Sequence, residues 1–157
     1  MMKKLLFTVL FIFLGMTYSI AQSDIKLGIH GGAPLGDADD ISSFELGGDI
    51  AYIFDPIGIL EVGPLIGFSQ FFGEDGYDDL QFIPVAASGR VSLPQLFFVG
   101  VDLGYAFGLD DNVDGGFYYR PQIGYNFFKF AILVSYSGIT DDNYTLSSLN
   151  LGVELKL

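Results

Sequence analysis

The chain contains no cysteine, only one histidine, and few basic residues: seven Lys and Arg against nineteen Asp and Glu among 157 residues. Without cysteine there is no disulfide framework, no thiol nucleophile and no thiolate metal site. The lack of basic clusters excludes nucleic acid as a partner, because phosphate binding needs them. Beyond residue 21 no apolar run reaches the length of a helical membrane span, which takes about 20 residues. With mean hydropathy high at +0.45, that combination favours a barrel over a helical membrane protein.

The one long apolar run lies at the start. Lys3 and Lys4 precede LLFTVLFIFLGM, and Ser19-Ile20-Ala21 places small residues where a signal peptidase cuts. Residues 1–21 are expected to be an export signal and residues 22–157 the mature domain. Without Lys3 and Lys4 the seven basic residues fall to five against nineteen acids, a net charge of −14. The 136 residues left (157 less 21) suffice for one domain.

Across that domain, large apolar side chains alternate with glycine, small polar or charged residues. In LFFVGVDLGYAFG (96–108) one phase carries Phe97, Val99, Val101, Leu103, Tyr105 and Phe107, and the other Gly100, Asp102, Gly104, Ala106 and Gly108. A period of two is the strand period. Eight such segments are predicted, at 24–33, 43–54, 59–72, 80–92, 96–108, 116–126, 129–138 and 146–157. Each is near the ~9–11 residues that a tilted strand needs to cross a bilayer. Short connections (55–58, 93–95 and 126–128) alternate with longer ones (34–42, 73–79, 109–115 and 139–145). That alternation is the signature of an up-and-down barrel with tight turns on one rim and loops on the other. The predicted fold is all-β: an eight-stranded antiparallel up-and-down transmembrane β-barrel in the cell outer membrane, with both termini on the short-turn, periplasmic rim.

All five basic residues of the mature chain, Lys26, Arg90, Arg120, Lys129 and Lys156, fall on the small and polar phase, with Glu45, Asp49, Glu61, Asp102 and Glu154. The expected lumen is therefore balanced five against five, and ionised groups in a narrow interior must be paired. By depth on adjacent strands, Glu61 is expected to pair with Arg90 and Asp102 with Arg120, in a network completed by Asp49, Glu154 and Lys129. Eight strands enclose an interior that side chains just fill. On the opposite phase, Phe54, Phe97 and Phe127 near the turns and Phe44, Phe68, Phe107, Phe117 and Tyr136 near the loops would flank an aliphatic belt, as a bilayer selects. The rival arrangement is a soluble, lipocalin-like barrel with its apolar phase inward. Pro64, Pro84 and Pro121 interrupt strands in which each removes a ladder hydrogen bond.

Two motifs could carry chemistry. His30 is the base a hydrolase would need, with Ser42, Ser43 and Asp49 as conceivable partners, although no local signature supports a dyad. Asp110-Asp111-Asn112-Val113-Asp114-Gly115 matches the first half of a calcium loop, but Pro121 stands where the closing Glu belongs. Asp110, Asn112 and Asp114 are the candidate ligands for weakly bound Ca²⁺ or Mg²⁺. More broadly, the four long connections hold twelve acids and no Lys or Arg.

The opening IKLGIHGGAPLGD, the strands LGYAFG and IGYNFF, the close LNLGVELKL and the Ser19-Ile20-Ala21-Gln22 signal end resemble the small outer membrane β-barrel proteins of Bacteroidetes-type bacteria, with PorT-like members. The resemblance spans the mature chain and implies a fold and a membrane. Many such barrels end in an aromatic residue, whereas this chain ends in Leu157. The expected function is that of a non-enzymatic, monomeric integral protein serving envelope structure or surface interaction. Its partners would be outer-membrane lipid and lipopolysaccharide. A narrow pore or a carrier for a small solute or apolar ligand is the alternative, and a hydrolase the remote one.

Overall fold

A computed structural model describes residues 23–111 and 113–157; the expected signal segment and Asn112 lie outside the described residues. Eight strands follow one another: β1 (Ser23–Leu35), β2 (Ser42–Phe54), β3 (Leu60–Gly73), β4 (Leu80–Ser92), β5 (Phe97–Gly108), β6 (Gly115–Phe127), β7 (Phe130–Thr140) and β8 (Thr145–Lys156). Each pairs antiparallel with its sequence neighbours, and β1 closes on β8 from Lys26↔Lys156 to Leu35↔Ser147. The result is a closed up-and-down barrel, and closure leaves no strand edge with unpaired backbone groups.

The phases separate as the alternation requires. The aliphatic belt faces outward, with Leu151 62% exposed, while Asp102 at 0% and Arg90 at 1% lie inside. The lipocalin-like arrangement is thereby overturned. Aromatic pairs sit on the outer wall toward both rims, among them Phe97–Tyr125 with ring centroids 5.1 Å apart and Tyr105–Phe107 at 4.9 Å.

The prolines are absorbed in a regular way. Pro64 is in register with Ala87 of β4, but the β2–β3 ladder skips from Ala51↔Leu65 to Phe54↔Val62. Pro84 pairs with Ala106 while the β3–β4 ladder breaks beside it, and Pro121 pairs with Val101 while the β6–β7 ladder breaks. A residue in an antiparallel ladder directs its N–H and C=O to one neighbour, so a missing donor weakens one side of the strand and spares the other.

The turns fix the strand phases. Asp55 Oδ1 accepts from Gly58 N at 2.5 Å, and Gly58 has φ +80°, a conformation glycine adopts without penalty. Between β6 and β7 the turn is tighter and later than the sequence suggests. Phe127 pairs with Phe130, leaving Phe128 (φ +59°) and Lys129 at the tip. That displacement removes Lys129 from the strand phase altogether.

Candidate functional site: a layered lumen beneath an acidic loop rim

The lumen holds three layers. Nearest the turn rim, Lys26 Nζ lies 2.6 Å from Glu61 Oε2 and 3.6 Å from Glu154 Oε1. Arg90 donates through both terminal nitrogens to the two oxygens of Glu154, each at 2.6 Å, and lies 4.9 Å over the Phe98 ring. A planar guanidinium matches a carboxylate in this two-pronged way, which makes the pair specific as well as strong. Gly100 makes room for it, since a Cβ there would stand 2.7 Å from Arg90 Cγ.

At mid-depth Arg120 bridges two strands. Its Nε donates to Asp102 Oδ2 at 2.8 Å and its Nη1 to Asp49 Oδ2 at 2.8 Å. Gln122 Nε2 also donates to Asp102 Oδ2, at 3.0 Å. His30 Nδ1 lies 3.3 Å from Arg120 Nη1 and 3.6 Å from Asp49 Oδ2, and its Nε2 is 4.0 Å from Glu45 Oε1. Glu45 is held in turn by donors from Ser69, Ser137 (3.1 Å) and Asn150 (3.0 Å). This serine and asparagine cradle escaped the sequence reading, which followed charges. Its signal was present in the lumen-phase Ser and Asn residues of β7 and β8.

Toward the loops the interior turns apolar. Phe71, Phe82, Tyr118, Ile139 and Leu146 form a buried cluster, joined by Ala38 from the first loop and continued down the wall by Leu65, Ala86, Ala51 and Ile53. Phe71 and Phe82 meet edge to face at 6.0 Å. The predicted glycine-rich, polar lumen omitted this cap, because phase separates inward from outward but says nothing about depth.

Three expectations about the network need correction. Glu61 and Arg90 are cross-strand partners, but Arg90 reaches across the lumen to Glu154 and Glu61 takes Lys26. Adjacent-strand reasoning cannot see across a closed barrel. Lys129 is exposed at the turn, outside the ion pairs, and lines a turn-side vestibule of about 210 Å³ together with Lys26, Glu61 and Glu154. Lys156, with 47% of its side chain exposed, pairs with Asp24 at the rim. The buried balance is therefore three bases, Lys26, Arg90 and Arg120, against the four acids Glu45, Asp49, Asp102 and Glu154, with His30 among the central ones and Glu61 only partly buried. The Asp102–Arg120 pair stands as expected.

Neither motif gains a partner set. Among the described residues no serine is hydrogen-bonded to His30, whose neighbours are Arg120, Asp49 and Glu45. Ser42 is buried without a hydrogen-bond partner and Ser43 is exposed. In the proposed ion loop, Asp110 Oδ2 accepts from Gln81 N at 3.1 Å, Asp114 is exposed, and Asn112 lies outside the described residues. Among the described residues no group of three or more His, Asp or Glu is arranged to hold a metal. Other loop acids also build turns: Asp79 accepts from Gly73 N at 2.8 Å and Gln70 Nε2 at 3.0 Å.

No family model matches the chain, and no curated protein matches it. Solved structures do. Ail, the attachment invasion locus protein of Yersinia pestis, in complex with the heparin analogue sucrose octasulfate, aligns at 17% identity and a TM-score of 0.59, covering 86% of this chain and 97% of that one. The N-terminal β-barrel domain of Pseudomonas aeruginosa OprF aligns at 14% identity and 0.51, covering 87% and 100%. A de novo designed transmembrane β-barrel aligns at 12% identity and 0.55, covering 85% and 95%. The likeness is one of fold: this chain is a closed eight-stranded antiparallel barrel of the architecture seen in outer-membrane proteins.

Proposed function

We propose that the chain is an integral outer-membrane protein of the PorT-like kind, without catalytic role, whose sealed barrel holds acidic loops at the cell surface for envelope structure or surface interaction. The observation that carries this reading is the inverted distribution of polarity. Leu, Ile, Val and aromatic side chains cover the outside, while Arg90, Arg120, Asp102 and Glu154 are buried within. Water would penalise that outer surface, and lipid favours it. Closed pairing satisfies the backbone in hydrocarbon and leaves no edge for association, which supports a monomer surrounded by lipid and lipopolysaccharide.

The same interior argues against the pore alternative. Ion pairs cross the lumen above the turn-side vestibule and apolar side chains close over them toward the loops, an arrangement that favours a plugged interior over a wide aqueous channel. The mature chain should fractionate with outer membranes, shift mobility on boiling in SDS, and give no steady conductance in planar bilayers. Recovery from the soluble periplasm without a heat shift would refute membrane residence. Steady large-pore conductance would refute the sealed lumen.

A further inference from the structure

At the loop end the apolar cap does not finish flush. Ile41, Leu80, Val113 and Tyr144 pack on the buried cluster from above, and with Leu146 they wall a pocket of about 390 Å³. Asp37 and Asn143 complete its lining. The volume lies at the lower end of the about 300–1,000 Å³ range of ligand pockets, enough for an inserted side chain or two rather than a folded domain. Burial and the nearby Asp141 carboxylate push the Tyr144 phenol above its ordinary pKa, so its hydroxyl stays neutral in the wall.

The surroundings of this pocket carry charge of one sign. All four loops are acidic, and none contributes a Lys or Arg. A single amine would meet only the carboxylates nearest the pocket, whereas charge spread over four loops complements an extended polycation. Anionic ligands are repelled. A bare metal ion would gain nothing from the apolar walls. We infer that this pocket is a docking site for a cationic peptide segment, its apolar side chains seated against Ile41, Leu80 and Val113 and its Lys or Arg groups lying on the acidic rim. The inference rests on the proposed membrane orientation, in that a peptide meets these loops only where they face outward.

The test uses the refolded barrel in phosphatidylcholine nanodiscs and a fluorescein-labelled peptide, Lys-Lys-Leu-Phe-Lys-Lys, with Lys-Lys-Ser-Ser-Lys-Lys as its equally charged control. Anisotropy, corrected for empty nanodiscs, should show the Leu-Phe peptide binding roughly tenfold or more tighter than the control. Raising salt from about 50 mM to about 500 mM should weaken both peptides by screening. Val113→Lys should abolish the difference between the peptides by placing a cation in the pocket. Asn143→Trp, at an exposed loop position that leaves the barrel wall untouched, should fill the pocket and do the same. Equal affinity for the two peptides would reduce the effect to general charge attraction and overturn the inference, as would no binding or an unchanged preference in Asn143→Trp. Orientation is read separately, by labelling Asp142→Cys on intact cells with an impermeant maleimide. Labelling without peptide preference defeats the pocket alone, and absence of labelling at a folded barrel defeats the orientation.

Discussion

The two halves of the lumen solve the same problem with opposite chemistry. In the turn half and at mid-depth, long charged side chains meet across the interior, and each needs its partner: Arg90 with Glu154, and Arg120 with Asp49 and Asp102. In the loop half, Phe71, Phe82, Ile139 and Leu146 fill space without directional bonds. The ionic half is specific and brittle, because removing one partner strands a charge away from water. The apolar half is tolerant, because a substitution loses contact area and leaves a cavity that can partly collapse.

The sharpest way to break that contrast is Arg120→Ala, which leaves Asp49 and Asp102 facing each other unneutralised. Urea unfolding in lipid vesicles should show a loss of about 3–5 kcal/mol. Combining Arg120→Met with Asp102→Leu and Asp49→Leu should recover much of it, since replacing a whole buried ionic group by apolar side chains of similar size is often near neutral. A triple variant as unstable as Arg120→Ala would mean that the region is fixed by shape rather than by charge.

Leu146→Ala, in the apolar half, should cost less, about 2–3 kcal/mol from lost burial and a residual cavity. In the same assay Phe82→Leu, which keeps most of the volume, should cost only about 1 kcal/mol. A larger loss for Phe82→Leu than for Arg120→Ala would reverse the ranking of the two halves.

The smallest effects belong to the loops. Asp142→Ala, at an exposed position, should change stability by less than about 0.5 kcal/mol. With Asp110 engaged by the Gln81 backbone, sodium at matched ionic strength should reproduce any rise in melting temperature that calcium gives. A calcium-specific rise that vanishes in Asp110→Ala with Asp114→Ala would establish the ion site.

Much of this molecule was legible in one dimension. The eight strands, the alternation of turn and loop, and the inward placement of Lys26, Arg90, Asp102 and Arg120 follow from a period of two, because successive side chains on a strand must face opposite sides. The Asp102–Arg120 contact was also legible, since the two are cross-strand neighbours in register. The acidity of the loop rim is a property of composition and needed no coordinates.

Closure decided the rest. Arg90 chose Glu154 over its register partner Glu61 because a barrel brings β4 and β8 face to face across a narrow interior, and a bidentate bond rewards that alignment. Lys129 stands at the turn rather than among the buried ion pairs because the β6–β7 turn closes at Phe127↔Phe130, and a shift of one residue in a turn moves a side chain out of its phase. The apolar cap and the pocket above it formed because Phe71, Phe82, Tyr118 and Leu146, scattered over four strands, share one depth only when the sheet is rolled and staggered. Sequence period fixes which way a residue points along its own strand, while its height and its partner across the lumen depend on register and curvature, which belong to the whole barrel.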